Sequence, residues 1–132
     1  MAEAGTNPLQ GRRILIVEDE YAVAADLAQS LEDRGAVVAG PVGSVREALA
    51  LIAHETALDF AVLDINLGQE KAYPIAEALR SQGVPLVFAT GYDAWIIPPE
   101  HADVPRLEKP IDLAALARAI SNSGKGPGPG TQ

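Results

Sequence analysis

The sequence predicts an α/β fold, a doubly wound five-stranded parallel sheet with helices on both faces. Three observations lead there. Short apolar runs alternate with longer amphipathic ones along most of the chain, the pattern of strand and crossover helix repeated. Gly, Pro, Ser or Asp marks the joins, where helices start and stop. The 132 residues, 48% of them hydrophobic, suffice for one ordinary core and are too few for two.

Taken in order, residues 1–11 are small and polar and are expected to form a flexible tail. "RILIV" (13–17) is a buried strand, followed by the helix "YAVAADLAQSLEDRG", with Val23, Leu27 and Leu31 on one stripe and Gly35 as its stop. "AVVAGPV" (36–42) is a second strand. "SVREALALIAHE" opens with a Ser44/Glu47 capping box and places Val45, Ala48, Leu49 and Ile52 on one face. "FAVLD" (60–64) is a third strand, and "PIAEALRSQG" is a helix with Pro74 in its first turn. "VPLVFAT" (84–90) is the fourth strand and "VPRLEK" (104–109) a weaker fifth. "DLAALARAISN" is a helix capped by Asp112. The run "SGKGPGPGTQ" alternates Gly with Pro, so the folded domain is expected over 12–122, with a second flexible tail over 123–132.

The helix after the fourth strand is the exception. Between Asp93 and the pair Pro98-Pro99 only Ala94 to Ile97 can turn helically, so helix four is expected to be one turn at most or disordered. Its apolar residues Trp95, Ile96 and Ile97 would then be a surface offered to, or withdrawn from, a partner.

Composition excludes several function classes. Eighteen acids against ten bases give a net charge of −8, the wrong sign for binding nucleic acid phosphates unaided. No apolar run approaches the ~20 residues of a membrane span, and the N-terminus lacks a signal-peptide pattern, so a cytoplasmic protein without membrane contact is expected. The absence of cysteine removes disulfides and thiolate chemistry. "GPVGSV" fails the dinucleotide fingerprint and "SGKGPG" the phosphate-loop pattern. His54 and His101 have no partner at a ligand spacing and are left unassigned.

The chemistry lies at the carboxyl ends of the strands, where doubly wound sheets bind ligands. Strand one ends in Glu18-Asp19-Glu20, strand three in Asp64, strand four in Thr90, and strand five in Lys109-Pro110. Parallel strands bring these ends to one edge. Carboxylates gathered there repel one another unless a cation offsets them, and an all-oxygen set suits Mg²⁺. Glu18, Asp19 and Asp64 are the candidate ligands, with the backbone carbonyl of Asn66 able to complete the set. Asp64, the only acid of the middle strand, is the candidate nucleophile toward phosphorus, because a metal and an ammonium would offset the charge of the incoming phosphoryl oxygens. Lys109 would pair with one such oxygen and Thr90 would hydrogen-bond another. Tyr92, two residues after Thr90, is expected either to respond to it or, with Trp95, to pack against the sheet. Taken singly, each residue reads as an ordinary cap, turn or solvated charge; their joint placement on successive strand ends favours the site.

"ILIVEDE", "VLDINL", "FATG" and "EKP" together resemble the receiver domains of two-component response regulators, the CheY-like family of flavodoxin-like fold, over nearly the whole folded unit. The resemblance implies phosphorylation of Asp64, direct Mg²⁺ contacts from Asp19, Asp64 and the Asn66 carbonyl, a water-mediated one from Glu18, and a cis peptide before Pro110. It implies a phosphoacceptor, with at most weak self-phosphorylation and self-dephosphorylation, in place of a true enzyme.

Two departures qualify it. The family's aromatic three positions before the lysine is Arg106 here, which would add a charge to the partner surface, and an aromatic appears instead as Tyr92. "FATGY" thereby resembles a subgroup named for its Phe-Ala-Thr-Gly-(X)-Tyr motif, which implies stand-alone regulators in alphaproteobacteria, kinases of the HWE or HisKA2 class, and general stress signalling. Gly68 replaces the usual proline after the phosphoacceptor, so "GQEKAYP" is expected to be a pliable loop.

The expected function is thus a single-domain response regulator of a phosphorelay. A histidine kinase or phosphotransfer protein would donate to Asp64, an unidentified downstream protein would read the result, and the chain would be a monomer or weak dimer. One alternative is a phosphate sink or kinase modulator without a separate output. A Mg²⁺-dependent phosphohydrolase is disfavoured, since enzymes of the haloacid dehalogenase type want Asp-X-Asp where this chain has Asp64-Ile65-Asn66. A phosphorylation-independent interaction module is disfavoured by the intact acid set.

Overall fold

The computed structural model describes residues 7–55, 57–91 and 97–123. Five parallel strands form one sheet, in the order β2 (Val37–Val42), β1 (Arg13–Val17), β3 (Phe60–Asp64), β6 (Leu86–Thr90) and β7 (Arg106–Glu108). Helices α1 (Tyr21–Asp33), α2 (Val45–His54), α3 (Tyr73–Ser81) and α4 (Leu113–Asn122) connect or follow these strands. This is the expected doubly wound fold.

Strand alternation divides the core in two. Leu15, Val17 and Leu63 point to one face and pack with Ala48 and Ile52 of α2 and Ile75 and Leu79 of α3. Ile14, Ile16 and Val62 point to the other, against Leu31 of α1 and Leu116 and Ile120 of α4. With both faces covered, β3 and β6 have no polar face to show water, which explains why "FAVL" and "LVFA" read as unbroken apolar runs. The chain leaves β1 toward β2 on one side and returns to β3 on the other, so the strand order switches between the ends of β1 and β3.

Several expectations need correction. The fold begins before residue 12: Leu9 is only 2% exposed in the α1/α4 core, Asn7 Nδ2 donates to the Arg34 carbonyl at 2.9 Å, and the Gly11 amide donates to the Gly35 carbonyl at 2.8 Å. A single apolar residue among polar ones gave no periodic signal. At the other end, Ser123, assigned to the tail, caps α4, its hydroxyl donating to the Ile120 carbonyl at 2.6 Å.

On α1 the inward stripe is Ala24, Leu27 and Leu31, and Val23 is 39% exposed, because small Ala24 lets the helix approach the sheet. On α2 Leu49 is likewise outside the buried stripe of Ala48 and Ile52. The Ser44 hydroxyl accepts from the Glu47 amide at 3.1 Å, while the Glu47 carboxylate reaches back to the Gly43 amide, one residue earlier than a standard capping box.

The segment expected to be a pliable loop is a two-residue antiparallel ribbon, β4 (Asn66–Leu67) with β5 (Glu70–Lys71). Gly68 turns it with a φ of +64°, a left-handed conformation open to glycine. The double proline follows residues 92–96, which lie outside the described ones. It opens a turn of 3₁₀ helix at Pro99–His101, because proline's fixed φ and missing N–H suit a first turn. Ile97, expected on a partner surface, is half-buried and packs against the α2/α3 core. Trp95, Ile96 and Tyr92 lie outside the described residues.

Candidate functional site

Register places the acids. β1 and β3 are direct neighbours with Val17 opposite Leu63, so the next residue on each, Glu18 and Asp64, leave the sheet side by side. Both are buried, and carboxylate oxygens of Glu18, exposed Asp19 and Asp64 lie within 4.8 Å of one another. On the far side, β6 pairs with β7, and the Lys109 amide donates to the Thr90 carbonyl at 2.9 Å. This contact brings the lysine over the acids. Lys109 Nζ lies 2.9 Å from Asp64 Oδ2 and 3.1 Å from Glu18 Oε1. The Lys109-Pro110 peptide is cis, as is Gly40-Pro41.

Each carboxylate is also held by backbone. Asn66 N–H donates to Asp64 Oδ1 at 3.2 Å, and Glu20 N–H donates to Glu18 Oε2 at 3.1 Å. The Thr90 hydroxyl is buried, and its hydrogen bond to the Leu107 carbonyl is long, at 3.5 Å. A donor held this loosely can turn toward a better acceptor. Arg106 is exposed on β7, in register with Phe88.

The electrostatics follow from the geometry. Burial raises Glu18 to about 7, helped by the charge of Asp64 and opposed by the Glu20 amide and Lys109. Burial works against the charge of Lys109, but its hydrogen bonds to Asp64 and Glu18 outweigh that, and its pKa is raised. One ammonium thus serves two buried carboxylates, and with Asp19 the cluster is short of positive charge. Its donors are all oxygen, with no His or Cys among them, and so fit a hard divalent cation such as Mg²⁺.

The ribbon is the part of the site that the sequence did not reveal. Lys71 Nζ hydrogen-bonds Asn66 Oδ1. Glu70 Oε1 accepts from the Val45 amide at 3.3 Å, tying the ribbon to the start of α2. At its tip, a Cβ on Gly68 would stand 4.0 Å from Asp19 Oδ2. β4 and β5 are two residues each, too short to show alternation, and their only cue was Gly68-Gln69 between them.

A doubly wound sheet with an acid cluster at its switch point and a lysine from the edge strand reaching into it is the architecture of a phosphoacceptor domain of two-component signalling. Residues 14–121 match the family described as the response regulator receiver domain, and the chain belongs to that family. Receiver domains take phosphoryl groups from histidine kinases or phosphotransfer proteins and bind Mg²⁺ at their acidic site.

Among solved structures, SdrG from Sphingomonas melonis Fr1 is 38% identical, with a TM-score of 0.71, covering 87% of this chain and 97% of that one. A beryllofluoride-activated conformation of SdrG is 40% identical, with a TM-score of 0.68, covering 83% and 92%. A response regulator receiver protein from Sinorhizobium medicae WSM419 is 28% identical, with a TM-score of 0.72, covering 87% and 95%. The transcriptional regulatory protein PdtaR of Mycobacterium tuberculosis is 28% identical over 113 residues. That match covers 83% of this chain and 55% of PdtaR, so the chain spans about half the length of the curated relatives it matches.

Proposed function

We propose that the protein is a phosphorylation switch in which Asp64 is the phosphoacceptor. The observation that carries the reading is the shared ammonium: Lys109 lies within 3.1 Å of both Glu18 and Asp64, at the strand switch point. An Asp64 carboxylate oxygen attacks the phosphorus of a phosphohistidine. The P–N bond breaks as the P–O bond forms, and the imidazole leaves with the electron pair. Lys109 then pairs with a phosphoryl oxygen, and the loosely held Thr90 hydroxyl turns to another.

Glu18, Asp19, Asp64 and the Asn66 carbonyl would hold Mg²⁺, with Glu18 reaching it through water. The ion supplies charge neutralisation as negative oxygen approaches. Self-phosphorylation and self-dephosphorylation would be weak at most, as befits a phosphoacceptor domain.

The output is a protein contact, made by the surface after Thr90 and by exposed Arg106. Tyr92 takes the place of the missing strand aromatic, with Trp95 and Ile96 as partner contacts. The "FATGY" stretch supports placement in the motif-named subgroup, with a kinase donor of the HWE or HisKA2 class and a role in general stress signalling. No helix among the described residues is long and apolar enough to cross a membrane, which agrees with a cytoplasmic place of action.

The test is phosphotransfer from a labelled histidine kinase in Mg²⁺. Wild type and Thr90→Val take the label, and Asp64→Asn takes at least a hundredfold less. Equal labelling of wild type and Asp64→Asn would overturn the assignment.

A further inference from the structure

His101, unassigned from sequence, is the most unusual side chain outside the site. It is 2% exposed, yet among the described residues neither ring nitrogen has a hydrogen-bond partner. Its ring stacks on Tyr73 at 5.5 Å with planes 12° apart and meets Phe88 edge-on at 6.2 Å. Packing explains the ring but not the nitrogens, one of which carries a proton at any pH. A buried imidazole with nothing to bond is the condition that a missing partner would relieve.

Two carboxylates face that edge. Nε2 lies 3.9 Å from Glu77 Oε2, beyond hydrogen-bond reach, and ligand atoms of Glu77, Glu100 and His101 all fall within 4.8 Å of one another. Glu77 stands one helical turn after Tyr73 on α3, and Glu100 and His101 belong to the 3₁₀ turn, so the group joins two elements. Arg80, which donates to the Glu100 carbonyl at 3.4 Å, is already neutralised by a bidentate pair with Asp103 at 2.8 and 2.9 Å.

We propose that Glu77, Glu100 and His101 form a second cation site, for a divalent ion of the zinc type, separate from the acid cleft at the strand ends. One imidazole and two carboxylates suit such an ion in preference to Mg²⁺, and the charge of two carboxylates matches it. Ligand bonds of about 2.0–2.2 Å would place the imidazole nitrogen and a carboxylate oxygen roughly 3.4 Å apart around a tetrahedral ion. A closure of about half an ångström from 3.9 Å is within reach of Glu77, whose side chain is 66% exposed. The bound ion would pin the turn at Pro99–His101 to α3, on the crossover between the Thr90 strand and the Lys109 strand. Zinc would thereby restrain the segment connecting the two switch residues.

The experiment is a Zn²⁺ titration of the full chain by calorimetry, with millimolar Mg²⁺ present to occupy the acid cleft. One Zn²⁺ binds per chain. His101→Phe, which keeps the ring stack, binds at least tenfold more weakly, and so does Glu77→Gln/Glu100→Gln, whose exposed positions leave folding untouched. In nitrogen-proton spectra Zn²⁺ moves the ring signals of His101 and leaves those of His54, and exchange of the Ala102 and Val104 amides slows. Absence of stoichiometric binding, or wild-type affinity in both variants, would overturn the proposal.

Discussion

Glu18 and Asp64 emerge from neighbouring strands with one ammonium between them, and that shortage of positive charge has a measurable cost. Glu18 titrates near 7 in the fold against 4.5 ordinarily, so the folded state holds its proton more tightly than the unfolded state does. The contribution is therefore present at low pH and is lost as pH rises from about 4.5 through about 7. In chelator, stability to urea should fall across that window by an amount on the order of 2 kcal/mol. Glu18→Gln should flatten the dependence, and saturating Mg²⁺ should offset the loss above pH 7. Wild type and Glu18→Gln sharing one pH profile in chelator would contradict this account.

Among the elements, the correction with the largest consequence is the N-terminal segment. Leu9 closes the lower end of the α1/α4 core, so Leu9→Ala should cost about 2–3 kcal/mol in urea unfolding. A flexible tail would lose no more than about 0.5 kcal/mol. Strands β1, β3 and β6 were legible because a strand covered on both faces must be apolar throughout. Helix positions were legible from caps, as Ser44 and Asp112 show by accepting from the Glu47 and Ala114 amides. What was not legible lacks period: Leu9 is a single anchor, β4 and β5 are two residues each, and Pro98-Pro99 reads equally as the end of one turn or the start of another. Helical phase failed where a small residue, Ala24, decided which side approaches the sheet.

For the molecule as a whole, the candidate site was readable because topology did the assembling. Residues up to 91 positions apart, from Glu18 to Lys109, meet because parallel strands present their carboxyl ends together, and those ends can be read from the apolar runs alone. The distances were not readable, nor was the ribbon tip beside Asp19, since both depend on register and on turns.

At the site Lys109 is fixed by its N–H to the Thr90 carbonyl, and its side chain bridges to Glu18 and Asp64. A phosphoryl group on Asp64 would draw on both at once. The most direct measurement is a nitrogen-proton spectrum of the full chain with Mg²⁺, titrated with beryllofluoride. One equivalent should shift the amides of Asp64, Thr90 and Lys109 together and move nothing in Asp64→Asn; an unmoved spectrum, or the same shifts in Asp64→Asn, would contradict the claim that Asp64 is the phosphoacceptor.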